Sequence, residues 1–157
     1  MQGYELTIQD VNYSPIGFVK NNIDEPAYIE YGNLLSDVII KEEFIPALDQ
    51  LGDYSHLVIV YHMDQICLQK HLHVPQGKHE DVPEVGIFAS RCPWRPNPIA
   101  ITTVKLVHLN GNVISVRGLD AANNSPVLDV KPFYPPYDKV DEKEMVRVPD
   151  WIYKLTY

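Results

Sequence analysis

Apolar and polar positions alternate, or run apolar on both faces, through most of the regular stretches of this chain. Residues 4–8 (Y-E-L-T-I) alternate, which predicts a half-buried strand. Residues 16–20 are short and β-branched, and residues 38–40 form an apolar run. Residues 54–62 (Y-S-H-L-V-I-V-Y-H) are apolar on both faces and predict a buried strand. Residues 99–109 and 113–119 flank Asn110-Gly111-Asn112, a hairpin signal. Residues 127–131 predict another strand, with Val127, Asp129 and Lys131 on one face and Leu128 and Val130 on the other. Residues 145–148 and 151–157 close the chain in the same style. Only residues 43–51 read as a helix, a short one with Pro46 near its start. Many short strands with turn signals predict an all-β fold, a sandwich or a small closed or nearly closed β-barrel with one short helix and long loops. The barrel is favoured because the strand at 54–62 has no polar face to expose.

A length of 157 residues and 45% hydrophobic content suit one domain, residues 1–157, with a proper core. No apolar run is long enough to cross a membrane, and the N-terminus lacks a secretory pattern, so a soluble, cytoplasmic protein is expected. Cys67 and Cys92 are too few for a disulfide framework. The net charge of −8 argues against a general basic surface for nucleic acid. Arg91, Arg95 and Lys105 nevertheless fall within fifteen positions with no carboxylate between them, which allows a positive site on an acidic body.

The densest chemistry is in Arg91-Cys92-Pro93-Trp94-Arg95-Pro96-Asn97-Pro98. Proline fixes φ, lacks an N–H and drives the preceding residue out of the helical region. Cys92, Arg95 and Asn97 each precede a proline, so the segment predicts a stiff, extended strut carrying two cationic forks and an amide. Cys92 has no catalytic partner in sequence; its arginine neighbours would lower its pKa, and it is read as a bystander. The long polar stretch 69–85 predicts a lid or binding loop. Its His71, His73 and His79 lack the paired partners of a zinc frame and are read as solvated, with no metal expected. His56 and His62 share one strand face as core histidines or ligand contacts, and His62 at the strand end is the better placed. Asp129 and Lys131 either pair on the surface or face a site together. Phe133, Tyr134 and Tyr137, set among Pro135 and Pro136, either stack on an adenine ring or pack a core. No G-x-G-x-x-G or phosphate loop is present.

G-I-F-A-S-R-C-P-W-R-P-N-P-I-A, residues 86–100, resembles the signature of the TrmO-like (TsaA-like) methyltransferases, usually G-V-F-A-T-R-S-P-F-R-P-N-P-I-G. L-D-A-A-N-N-S-P-V-L-D-V-K-P-F-Y-P-P-Y-D, residues 119–138, resembles the second block, L-D-x-x-D-G-T-P-V-L-D-I-K-P-Y-x-P-Y. The strand L-G-D-Y-S-H-L-V-I-V-Y-H and the opening Ile16-Gly17 resemble two more. The chain departs from the pattern at Cys92, Ala100 and Asn123-Asn124, the basic, Gly-rich stretch before the signature is here His73-Val74-Pro75-Gln76-Gly77-Lys78, and the extra C-terminal domain of the longer members is not expected.

The resemblance implies a single-domain β-barrel, usually a homodimer, that binds S-adenosylmethionine and methylates N6 of threonylcarbamoyladenosine beside the anticodon of tRNA. It implies cofactor contacts from His62, Met63, Arg91, Ile101, Leu119, Asp120 and Ala121. Arg95 and Asn97 would bind the substrate. Asp129 is the expected base and Lys131 its electrostatic partner. Such a transfer is an in-line displacement in which positioning is much of the catalysis, a demand that a proline strut suits. A small-molecule or other nucleoside methyltransferase, and a non-catalytic cofactor-binding module, are the alternatives.

Overall fold

The structure, a computed structural model, describes residues 9–24, 31–66, 69–75, 82–141 and 143–155. The expected strand at 4–8, Cys67 and His79 lie outside the described residues. Six strands make the barrel: β1 Gly17–Lys20, β2 Leu35–Ile40, β3 His56–His62, β6 Ile99–Asn110, β7 Val113–Arg117 and β8 Pro126–Pro132. Their order β1-β2-β7-β6-β3-β8 closes on itself through β1 and β8, with every pair antiparallel. Two short strands, β4 Leu72–His73 and β5 Val85–Gly86, form a separate ladder.

The period-two pattern builds this shape directly. Leu57, Ile59 and Tyr61 of β3 point inward with Val38 and Ile40 of β2, Ile114 and Val116 of β7, and Val127 of β8. Each such aliphatic side chain contributes about 1.5–3 kcal/mol by leaving water. The outward residues of β3 are half-buried or exposed, so the strand read as apolar on both faces has one core face and one partly covered outer face. The 6–7 hairpin turns through Gly111 at φ 57, where glycine is at home. Asn112 pins its tip to β2, its Nδ2 donating to the Ile40 carbonyl at 2.7 Å.

Two expectations change. The predicted helix at 43–51 is a 3₁₀ segment, Glu42–Leu48, followed by a second turn at Leu51–Asp53. Pro46 removes a donor inside it, and Gln50 takes φ 60 between the two pieces. The closing stretches are not strands: residues 145–148 lack regular structure and Asp150–Lys154 is a 3₁₀ turn. A closed barrel has no full-length free edge for them to join. The α-helical residues described are the single turn α1, Pro135–Asp138, and no helix among the described residues is long and apolar enough to cross a membrane.

The face assignment on β8 also changes. Val60 pairs with Asp129 but Tyr61 pairs with Val127, so Leu128 is left over in a bulge. The bulge turns Val127 into the core, while Asp129 and Lys131 sit opposite Val60 and Val58 of β3.

Candidate functional site

The strut crosses the end of the barrel where β3 finishes and β6 begins. Met63 N–H donates to the Pro98 carbonyl at 2.8 Å, joining the end of β3 to the end of the strut. Turns at Pro93 to Arg95 and Asn97 to Ile99 are closed by backbone hydrogen bonds of 2.7 and 2.8 Å. Arg95 does not reach out from the strut. Its Nη1 donates to the carbonyls of Ile87 at 3.1 Å and Ser90 at 2.8 Å, and its guanidinium lies 5.5 Å from the centre of the Phe88 ring. These contacts fix the bend that leads into Arg91.

Ser90 is the hub on the other side. Its hydroxyl donates to the Ile87 carbonyl and accepts from Cys92 N–H. With its proton so engaged, it accepts from His73 Nε2, 2.7 Å away. His73 is 4% exposed and meets the Trp94 ring edge-on, while Lys70 sits 4.2 Å above that ring. His73 was expected in a solvated loop; the β4–β5 ladder instead draws it under the strut. Burial pushes its pKa below the ordinary value and Lys70 adds to this, against weaker opposition from the Val74 backbone and Glu84. Its Nδ1 is buried with no hydrogen-bond partner, so a proton there would be an unpaired cation.

A histidine with a lowered folded pKa stabilises the fold above its ordinary value of 6.5 and loses that contribution as pH falls through it. Urea unfolding is therefore expected to show stability dropping below about pH 6.5, with His73→Gln flattening that part of the curve. An identical pH dependence in both proteins would refute the role of this histidine. Burial likewise raises the Cys92 thiol pKa, outweighing the Trp94 backbone, Lys70 and Arg95, so the arginines do not activate it.

Arg91 points across the barrel end, its Nη2 donating to the Ile101 carbonyl at 2.9 Å. β7 pairs with β6 only from Lys105 onward, so the start of β6 lacks that neighbour and Arg91 binds there. Tyr61 faces inward from β3; its hydroxyl donates to the Asp120 backbone carbonyl and lies 3.4 Å from Thr102 Oγ1. Burial holds the Tyr61 hydroxyl well above its ordinary pKa, so it stays a donor. The Asp120 carboxyl is raised by desolvation, and the Arg91 charge and a Tyr31 hydrogen bond pull it back. Arg91 is thus bonded to Ile101 and its charge acts on Asp120, with Leu119 and Ala121 buried on either side of Asp120. His62 lies beside them on β3, opposite Ile99.

The loop after Leu119 is tied to β1 and β2. Asn21 Nδ2 donates to Ser36 Oγ and to the Ala121 carbonyl, both at 3.0 Å, and Asn123 Oδ1 accepts from Asn21 N–H at 3.2 Å. Asp129 and Lys131 stand apart from this cluster as an ion pair of 2.5 Å on the outer face. The register places Asp129 and Ile101 on either side of Val60, about 10 Å apart across two strand spacings. Asn97 is exposed and contributes its carbonyl to the turn into β6.

The sequence model for the "tRNA-methyltransferase O N-terminal domain" matches residues 23–139. The chain belongs to this TrmO N-terminal family. A relative from Archaeoglobus fulgidus, named an S-adenosyl-L-methionine-binding protein, is 34% identical over 134 residues, covering 83% of this chain and 94% of the relative. A Rattus norvegicus tRNA (adenine(37)-N6)-methyltransferase is 38% identical over 61 residues, 39% of this chain and 14% of that protein. The solved structure of TrmO from Pseudomonas aeruginosa superimposes with a TM-score of 0.71 at 24% identity and shares the fold. This chain spans 61% of that solved chain, and 87% of its own length is covered.

Against the TrmO pattern, Asn124 explains one departure. It stands where Gly is usual and takes φ 66, a left-handed conformation that Asn tolerates better than most residues. Sequence reasoning missed Tyr61, Tyr31 and the His73–Ser90 pair. Tyr61 carried a usable signal, since a tyrosine on the inward face of a strand needs a partner for its hydroxyl. Tyr31 carried none.

Proposed function

We propose that this TrmO-family chain binds S-adenosylmethionine where Arg91 and Asp120 meet and methylates N6 of threonylcarbamoyladenosine next to the anticodon of tRNA. The observation that carries this is the convergence of Arg91, Ile101, Tyr61 and Asp120 from four separated segments at one end of the barrel. The donor set fits the ligand. Arg91 is exposed and has further N–H groups beyond the one on Ile101, suited to a carboxylate. Asp120 suits ribose hydroxyls or an ammonium group, and the buried Leu119 and Ala121 hold its backbone in place. Bound S-adenosylmethionine would supply an electrophilic methyl group. The protein's part is to orient: His62 and Met63 flank the same end of β3, and the prolines keep Arg91 from drifting.

Asp129 would accept the proton that the urea-type N6 loses, with Lys131 balancing its charge. Arg95 would act chiefly by shaping the strut, and Asn97 would meet the substrate from it. The protein would act in the cytoplasm as a homodimer, for which Ile99 and Ile101 offer exposed apolar area on the outer face.

Arg91→Ala is expected to weaken S-adenosylmethionine binding by one or two powers of ten, since a charged hydrogen bond is worth about 1.5–3 kcal/mol. Unchanged affinity by calorimetry would refute the contact. The function itself is tested by transfer of labelled methyl from S-adenosylmethionine to tRNA with and without the threonylcarbamoyl group. Transfer only to the modified tRNA supports the proposal. Tight cofactor binding without transfer to tRNA overturns it; the relatives named as binding proteins make that the outcome to watch.

A further inference from the structure

We propose that the aromatic groove beside the end of β8 is a stacking site for an unpaired base of the RNA substrate, flanking the base that is modified. This rests on the tRNA function proposed above and adds where the neighbouring RNA is held.

The groove is a concavity of about 840 Å³ lined by Tyr54, His56, Phe133, Tyr134, Tyr137 and Lys139, among others. Its rings come from two distant segments and meet in pairs. Tyr54 and Tyr134 have centroids 5.8 Å apart with their hydroxyls at 3.4 Å, and His56 meets Phe133 at 6.4 Å. Two of the ring pairs are in contact, and the backbone that carries them is fixed before any ligand arrives. Phe133 N–H donates to the His56 carbonyl at 3.0 Å. Asp138 Oδ2 accepts from Tyr134 N–H at 2.6 Å, closing the Pro135–Asp138 turn. A held backbone and short, two-torsion aromatic side chains lose little entropy on binding. Yet Tyr134 is 47% exposed and Tyr137 86%, so the apolar faces so arranged stand in water.

Position and charge select the occupant. His56 lies four residues before Val60 on β3, and Val60 is opposite Asp129. The groove is therefore about 13 Å along the same face from Asp129, within reach of a nucleotide next to the reacting one. Lys131, paired with Asp129, lies opposite Val58 between the two, and the groove itself is lined by one cation, Lys139, and one carboxylate, Asp53. Aromatic faces with cations at the rim match bases joined by phosphates and bind them largely without regard to sequence. Stacking also answers the net charge of −8, because it does not need a broad basic surface.

The test uses the full chain, a stem-loop RNA bearing threonylcarbamoyladenosine beside the anticodon, and 2-aminopurine at the flanking loop positions, all at one salt concentration. Tyr137→Leu and Tyr134→Leu are expected to raise the RNA Kd about 5- to 150-fold, the effect of one lost stack. They should also relieve 2-aminopurine quenching and leave S-adenosylmethionine affinity as it was. Tyr137 is exposed enough that its replacement leaves folding alone. Normal RNA binding by both variants overturns the groove and leaves the tRNA function standing. A wild-type protein that binds S-adenosylmethionine but no RNA overturns both. Loss of self-association with RNA binding intact, by ultracentrifugation, overturns it in favour of a contact between copies.

Discussion

Asp129→Asn should lower methyl transfer about 10²- to 10⁴-fold, the usual contribution of a positioned general base, with S-adenosylmethionine affinity unchanged. Asp129 is held by its neighbours: Oδ1 accepts from Val130 N–H at 2.8 Å and Oδ2 pairs with Lys131. Asparagine keeps the size and one accepting oxygen, so the bulge at Leu128 should persist. What it removes is the charge that would take a proton. Lys131's pKa is raised, chiefly by the hydrogen bond to Asp129 and then by its charge, so the lysine stays a cation at neutral pH. Because Asp129 lies two strands from Ile101, its loss should not reach the proposed cofactor contacts. Single-turnover rates and calorimetry on the same preparation decide it. Equal loss of turnover and affinity would sink the assignment as base.

Gly17→Ala should be the most damaging small substitution in the fold. Gly17 is paired on both sides, with Ile40 of β2 and Val127 of β8, where β1 closes the barrel. A Cβ built there would overlap the Ile39 carbonyl oxygen, a backbone atom that cannot swing aside. Overpacking of this kind costs about 3 kcal/mol or more when backbone must move, which for a chain of this size lowers Tm by about 6–12 °C. Gly17 does not occupy the left-handed region, so the loss would be steric and not conformational. Scanning calorimetry reads it directly, and a Tm within about 2 °C of the parent protein would contradict the overlap.

The barrel was legible because its core strands obey period two. The strand carrying Leu57, Ile59 and Tyr61 was legible as an apolar run, though not which of its faces is inward, and the Asn110-Gly111-Asn112 turn announced its hairpin. The cluster proposed to hold the cofactor was legible only through motif resemblance. Spacing alone does not reveal that Arg91 and Asp120 meet, since their approach depends on strand order. Two errors have physical causes. The alternation assigned to residues 127–131 failed because one unpaired residue, Leu128, inverts everything before it. His73 was misplaced because a two-residue ladder gives no periodic signal, although it is enough to bury a side chain.

The uneven strand lengths have a consequence for solubility. β6 runs for 12 residues and β7 for 5, so the first half of β6 forms a seam without β7 beside it. Ile101, 53% exposed, sits on that seam, and an apolar half-edge of this kind invites strand addition from another chain. Arg91 plugs it by engaging the Ile101 carbonyl with a charged group that a passing strand cannot replace without burying the cation. Drift at position 91 would therefore be selected against twice, once through the ligand and once through clumping of the unliganded protein.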